Sequence, residues 1–112
     1  MAEFATHSPA AGNVIITFPE HAIGGEQGIA LTSLVGAQLQ AGVHTVIIDL
    51  SVVQVMNSSG LGMLVSTLAS TGRAQAKLVL ASIPPRVQDL LEMTHLVKVF
   101  TIVGSTSEAI AP

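Results

Sequence analysis

The residues best suited to chemistry lie in one short segment, residues 56–62, with the sequence Met-Asn-Ser-Ser-Gly-Leu-Gly. This segment lies between a strand-like apolar run and a helix-like one, so the hydroxyls of Ser58 and Ser59 fall where a helix should begin. A helix N-terminus offers unpaired backbone N–H groups and a partial positive charge, and it therefore favours anions. A serine at such a position can cap the helix, bind a phosphate group, or itself be phosphorylated.

The structural interpretation is that Asn57 or Ser58 caps the helix, while Gly60 and Gly62 allow it to pack closely on a sheet. A serine cap typically contributes about 1 kcal/mol, so stability alone could justify it. Each glycine inside a helix, however, costs roughly 1 kcal/mol relative to alanine. Two glycines in the first turn therefore indicate that something approaches the backbone closely.

Known catalytic motifs are incomplete around this segment. A nucleophile elbow requires Gly-x-Ser-x-Gly, but Met56 stands where the glycine before Ser58 should be. A dinucleotide-binding fingerprint requires a third glycine where Val65 stands, and there is no P-loop. The four histidines share no metal-ligand spacing, so the sequence predicts neither a metal site nor a cofactor. Asp49, at the end of a predicted strand, is better explained as a turn residue than as a functional carboxylate.

The composition limits the classes of partner. The chain has 112 residues, of which 49% are hydrophobic and only 10% charged, which excludes intrinsic disorder and fits one domain. A net charge of −3 with four scattered basic residues argues against nucleic acid. The absence of cysteine excludes disulfides and thiolate chemistry. No apolar run reaches the ~18–20 residues that span a bilayer, and no signal peptide is recognisable, so we expect no membrane association and a cytoplasmic location.

Hydrophobic patterns predict strands that alternate with helices. Apolar runs predict strands at residues 13–18, 45–50, 77–81 and 97–103, whereas residues 19–28 form a short strand or a loop. Helical spacing predicts a helix over residues 26–41, closed by Gly42, and a second helix closed near Gly72. The second helix has the apolar stripe Leu61, Leu64, Val65 and Leu68. A third helix opens at Pro84-Pro85, and residues 105–110 form a short closing helix.

This order predicts an α/β fold, a single domain with a mostly parallel central sheet packed by about four helices. The run at residues 45–50 is apolar on both faces, as expected of a central parallel strand. Residues 1–12 are small and polar, and we expect them to form a loose N-terminal leader. The domain then comprises residues 13–112.

Several stretches together resemble a known family. Ile-Ile-Asp-Leu-Ser at residues 47–51, followed by residues 56–62, resembles an apolar strand ending in Asp-Leu-Ser, a short spacer, and Asp-Ser-Ser/Thr-Gly-Leu-Gly. That is the signature of STAS domains, specifically the bacterial anti-sigma factor antagonists. Residues 77–80 and 84–94 are similar to the later strand and third helix of that family. The resemblance runs from about Val14 to the C-terminus and implies a single STAS-like domain.

The resemblance implies a binding switch without catalytic residues. In such proteins a partner serine kinase of the histidine-kinase-like ATPase type, which is also the anti-sigma factor, phosphorylates the first serine of the pair. The unphosphorylated antagonist binds that kinase and frees the sigma factor, and a PP2C-type phosphatase resets the switch. Carried over, the phosphorylation site is Ser58, in a protein that is a monomer or a weak dimer. The residues expected to contact the partner are its neighbours Asn57, Ser59, Gly60, Leu61 and Gly62.

Two departures from the family pattern support other hypotheses. Asn57 stands where the family usually has Asp. An Asn keeps the capping oxygen but carries no charge. The family's early Gly-x-Leu/Ile-Asp stretch falls near residues 20–23, where this chain has no Asp. The alternative is therefore a non-switching STAS domain that serves as a binding or sensory module. A third hypothesis is an enzyme that uses Ser58 or Asp49, although no recognisable motif places a base near either residue.

Overall fold

The computed structural model describes residues 4–110. Its strands are β1 (Ala5–His7), β2 (Asn13–Thr17), β3 (His21–Ala22), β4 (Thr45–Asp49), β5 (Val55–Met56), β6 (Lys77–Ala81) and β7 (Thr101–Val103). Its helices are α1 (Glu26–Gln40), α2 (Ser58–Arg73), α3 (Pro85–Met93) and α4 (Thr106–Ile110). None of these helices is long and apolar enough to cross a membrane.

Five strands form the central sheet, in the order β1-β2-β4-β6-β7. Strands β2, β4, β6 and β7 are parallel, and β1 runs antiparallel to β2 at the edge. Ile15 lies opposite Ile47, and Ile47 lies opposite Val79, so the central strands are apolar across the sheet. Parallel neighbours need crossover connections, which the helices supply. The predicted α/β fold with a mostly parallel sheet and four helices is confirmed.

The two faces of the sheet are covered unequally. Val46 and Ile48 of β4 point into a large core that includes side chains of α1, α2 and α3, such as Leu64. Ile47, between them in the strand, points into a smaller cluster on the other face, where Ala109 of α4 packs. Three helices therefore cover one face and a short helix the other. This arrangement places the start of α2 near the carboxyl edge of the sheet, where α/β folds commonly bind ligands.

The predicted loose leader is wrong for the part of residues 1–12 that the structure describes. Ala5–His7 pairs with β2, and Thr6 lies opposite Ile16. Phe4 is buried against Phe18, with ring centroids 5.1 Å apart and an interplanar angle of 73°. Strand pairing and an edge-to-face aromatic contact thus attach this segment to the domain. Residues 1–3 of the predicted leader, and the last two residues of the predicted domain, lie outside the described residues.

The residues that α2 buries differ from the predicted apolar stripe. Val65 was expected to be buried but is 42% exposed, whereas Thr67 and Thr71 are buried. Both threonine hydroxyls donate to main-chain carbonyls one helical turn earlier, which makes their burial acceptable. Because α2 packs against α1 as well as the sheet, its buried stripe turns away from Val65. The predicted strand at residues 97–103 is also shorter, because residues 97–100 form turns and only β7 is extended.

Three helices end in the same hydrogen-bonded motif. After α1, Gly42 has φ 96°, and the N–H of Val43 reaches back to the carbonyl of Gln38. After α2 and α3 the left-handed position is occupied by Gln75, with φ 58°, and by His95, with φ 60°. The predicted end of α1 at Gly42 is confirmed, and α2 ends at Arg73, next to the predicted end near Gly72. A left-handed conformation is costly for residues other than glycine, so the ends of α2 and α3 carry strain.

Candidate functional site

A two-stranded ribbon holds the Ser58 segment against the rest of the domain. Strand β5 lies parallel to β3, with His21 opposite Val55 and Ala22 opposite Met56. One residue later, the backbone N–H of Asn57 donates to the carbonyl of Ala22 at 3.4 Å. The chain therefore enters α2 from a backbone position fixed by β3.

Asn57 is the residue that caps α2. Its Oδ1 accepts a hydrogen bond from the backbone N–H of Gly60 at 2.8 Å, and its carbonyl accepts one from the N–H of Leu61 at 2.9 Å. Of the two capping residues that the sequence allowed, the structure selects Asn57 and leaves Ser58 as the first helical residue. The first turn of α2 contains no acidic residue. The partial positive charge of this helix end is therefore not offset by a carboxylate from its own first turn.

Ser58 and Ser59 are both exposed, but their surroundings differ. Within residues 4–110, neither hydroxyl makes a hydrogen bond. The loop between β3 and α1 crosses directly beside Ser59, so closely that a Cβ on Gly24 would lie 2.6 Å from the Cβ of Ser59. The backbone of Gly24 therefore lies against the Cβ side of Ser59. No glycine of residues 4–110 comes this close to Ser58.

Gly60 and Gly62 have different reasons to be glycine. A Cβ on Gly60 would lie 2.7 Å from the carbonyl carbon of Ala22 and closer still to its oxygen. Only glycine lets α2 approach β3 this closely. A Cβ on the exposed Gly62 would meet nothing within 4 Å. The close approach expected from the sequence is thus found within the fold at Gly60, whereas nothing in the fold requires glycine at Gly62.

The structure divides the six residues predicted for the site. Leu61 is only 6% exposed and belongs to the large core, and Gly60 is buried. These two residues position the helix, and their predicted contact with a partner stays a prediction. The four that remain on the surface are Asn57, Ser58, Ser59 and Gly62.

Gln27 is a residue of this site that the sequence analysis missed. Its buried side chain donates from Nε2 to the carbonyl of His21 at 2.7 Å. Its Oε1 accepts from the N–H groups of Ile23 at 2.9 Å and Gly24 at 3.1 Å. The available signal was a Gln early in a helix after two glycines, since such a side chain can reach back to free N–H groups. Gln27 therefore fixes the loop that lies beside Ser59.

The groove beside Ser59 brings no acid–base group of residues 4–110 to the segment. A groove of about 330 Å³ between α1 and α2 includes Ser59 and Gly62, and its lining holds hydroxyls and glycines but no carboxylate or imidazole. Asp49 accepts hydrogen bonds from the N–H of Ser51 at 3.0 Å and the hydroxyl of Thr17 at 3.4 Å, as expected of a turn residue. No group of three potential metal ligands occurs within the described range.

Known proteins share this fold and sequence pattern. The family model of the STAS domain matches residues 12–109. The chain belongs to the STAS domain family. This STAS domain is similar to the anti-sigma-factor antagonist domain protein of Planctomyces limnophilus, with 24% identity, a TM-score of 0.79, and coverage of 96% of this chain and 95% of that one. It is also similar to an anti-sigma factor antagonist from Mycobacterium paratuberculosis, with 20% identity, a TM-score of 0.75, and coverage of 96% and 89%.

A third similar structure is a phosphorylated protein. The Bacillus cell fate determinant SpoIIAA in its phosphorylated form shares 14% identity with this STAS domain, at a TM-score of 0.71 and coverage of 94% and 95%. At these identities the structures establish a common fold. The family resemblance deduced from residues 47–51 and 56–62 is confirmed by the family model.

Proposed function

We propose that this STAS domain is an anti-sigma factor antagonist that acts by partner switching and has no catalytic activity of its own. Its unphosphorylated form binds an anti-sigma factor that is also a serine kinase of the histidine-kinase-like ATPase type. Phosphorylation of Ser58 by that kinase releases the complex, and a PP2C-type phosphatase restores the binding form. The main support is that the Ser58 hydroxyl is exposed, without a hydrogen bond from residues 4–110, at a helix N-terminus.

The site is suited to carry a phosphate without losing its fold. Phosphorylation adds about −1.5 to −2 charges and three strong acceptor oxygens. At the start of α2 these oxygens meet free backbone N–H groups and the positive end of the helix dipole. No acidic side chain of the first turn repels them. The modification therefore changes the surface that a partner meets, through charge and desolvation, while the domain stays folded.

Ser58 is a better acceptor than Ser59 on geometric grounds. A kinase must surround the accepting hydroxyl with its own catalytic groups, and the Gly24 backbone already occupies one side of Ser59. Ser58 is exposed and has no glycine backbone of residues 4–110 against it. This argument is independent of the family pattern, which also points to the first serine.

Phosphate mapping tests the proposal directly. The protein is incubated with ATP and the histidine-kinase-like serine kinase of the same organism, and modified residues are located by mass spectrometry. We expect one phosphate, on Ser58, which is lost in Ser58→Ala and kept in Ser59→Ala. An unmodified Ser58 under conditions in which the kinase hydrolyses ATP would contradict the proposal.

Binding measurements test the charge mechanism separately. Ser58→Ala should bind the kinase as the unmodified protein does, and Ser58→Asp should bind it much more weakly, because a carboxylate imitates part of the phosphate charge. Equal binding of the two variants would refute the mechanism even if Ser58 is phosphorylated.

The second candidate is a STAS module that binds constitutively, and Asn57 is the observation in its favour. The amide oxygen of Asn57 supplies the cap, so the fold does not need the acid that the family usually carries. The variant Asn57→Asp distinguishes the candidates. Phosphorylation of Asn57→Asp but not of the unmodified chain would mean that switching has been lost with the carboxylate.

A further inference from the structure

A second surface feature borders the Ser58 segment, on the side of α3. It is an open cleft of about 530 Å³ between the loop that enters β5 and the start of α3. Its lining residues are Val53, Gln54, Val55, Pro84, Pro85 and Arg86. Val55 precedes Ser58 by three residues, so their Cα atoms are at most about 10 Å apart. A partner that covers Ser58 would therefore also reach the cleft.

Four of the six residues that line this cleft are apolar, and the apolar surface continues onto the β3–β5 ribbon. Val55 is 43% exposed and lies opposite His21 in the ribbon. Ile23, two residues after His21, is 49% exposed. His21 and Val55 share one face of the ribbon. Ile23 follows the end of β3 and, like His21, is exposed, whereas Ala22 between them is buried. An apolar strip thus runs beside Ser58 from Ile23 across Val55 into the cleft.

Arg86 gives the cleft its charge, and the fold does not explain its position. It is exposed in the first turn of α3, where the helix dipole disfavours a cation. No carboxylate within residues 4–110 forms an ion pair with it. Arg73, by contrast, lies in the last turn of α2, where a cation is favourable, and donates to the hydroxyl of Ser70. A guanidinium beside exposed aliphatic and proline side chains is complementary to a carboxylate next to an apolar side chain.

We propose that this cleft is a second contact site for the anti-sigma kinase, which inserts a segment carrying an Asp or Glu onto Arg86 and an apolar side chain against Val55. The inference rests on the proposed function and deepens it. Ser58 reports the phosphorylation state, whereas Arg86 selects which kinase is bound. The charge of Arg86 then contributes to specificity between partners rather than to the stability of the domain.

The test compares Arg86→Glu with the matched control Arg73→Glu, because both variants change the net charge equally. The affinity of each unphosphorylated variant for the kinase is measured by calorimetry at low and high salt. We expect Arg86→Glu to weaken binding about ten-fold or more and Arg73→Glu to change it by about two-fold or less. Glutamate in the first turn suits the dipole of α3, so thermal melts should show that Arg86→Glu remains folded. Arg86→Gln should lie between the unmodified protein and Arg86→Glu.

Equal weakening by Arg86→Glu and Arg73→Glu would overturn the inference, since net charge alone would then explain the loss. Unchanged affinity of Arg86→Glu would also overturn it while leaving the proposed function intact, because the unmodified protein still binds. A kinase that binds neither the unmodified protein nor Ser58→Ala would refute the proposed function and the cleft together.

Discussion

The variants Gly60→Ala and Gly62→Ala form a matched pair that tests how closely α2 packs against β3. The two positions are two residues apart in one helix, so the intrinsic gain in helix propensity is similar. At Gly60 the new methyl group would lie 2.7 Å from the carbonyl carbon of Ala22, and a backbone carbonyl cannot rotate away as a side chain does. At Gly62 the methyl group would meet no atom within 4 Å. The predicted effects therefore have opposite signs.

The magnitudes follow from two terms. Replacing glycine by alanine inside a helix gains roughly 1 kcal/mol. Overpacking costs about 1–3 kcal/mol, and occasionally more when the neighbour is rigid. Here the shift needed to separate α2 from β3 also strains the hydrogen bond from Asn57 to Ala22. We expect Gly62→Ala to raise the free energy of unfolding by up to about 1 kcal/mol. The free energy of unfolding of Gly60→Ala should be about 2–4 kcal/mol lower than that of Gly62→Ala.

Urea unfolding followed by far-ultraviolet circular dichroism measures this difference, since the chain has no Trp or Tyr for fluorescence. The urea midpoints should separate while the m-value stays constant. If Gly60→Ala is as stable as Gly62→Ala, then β3 and α2 are not in close contact and the geometry described above is refuted. Gly62→Ala has a second use: if the exposed glycine serves the partner, the variant should bind the kinase more weakly although it is more stable.

Three further predictions concern residues that fix the backbone. His95→Gly should raise the free energy of unfolding by about 1 kcal/mol because it relieves a left-handed residue, and a thermal melt without any gain would contradict this. Asn57→Ala should lose about 1 kcal/mol, whereas Asn57→Asp should keep the cap and gain about 0.3–1 kcal/mol at low salt. Equal urea midpoints for these variants would refute the cap. Gln27→Leu removes the acceptor for two backbone N–H groups and should cost about 1–2 kcal/mol. Hydrogen exchange at Ile23 and Gly24 should then accelerate, and unchanged protection would show that Gln27 does not hold the loop.

The parts of the fold that the sequence predicts are those with a long or periodic apolar pattern. The strands at residues 45–50 and 77–81 and the helix at 26–41 lie within a residue or so of their observed bounds. Strands β1, β3 and β5 were missed or left open because they have only two or three residues, too few for a period of two to appear. Their pairing comes from distant segments rather than from local preference.

At the site, too, the sequence predicts the local pattern but not the contacts with distant segments. Its segment and its helix N-terminus follow from residue types, but the roles of its members do not. Gly60 and Gly62 look alike in the sequence, as two glycines in the first turns of a helix. They differ because only Gly60 lies against the carbonyl of Ala22. Gln75 and His95 end helices in a conformation that favours glycine, so no local signal marks them. Such roles depend on neighbours that are remote in the chain.

The position of Ser58 determines how the proposed phosphate there would control binding. The residue is exposed, and the core begins behind it at Leu61 and Leu64, so phosphorylation buries no charge in the domain. The interaction of the phosphate charge with the positive end of the α2 dipole would stabilise the folded domain by only about 0.3–1 kcal/mol. Reversing a binding equilibrium from 99:1 to 1:99 requires about 5.5 kcal/mol. The fold cannot supply that difference, so it must arise at the interface, where a partner seated on Ile23 and Val55 would have to desolvate the phosphate. The proposed partner switch would therefore operate through the surface of this STAS domain while its core stays unchanged.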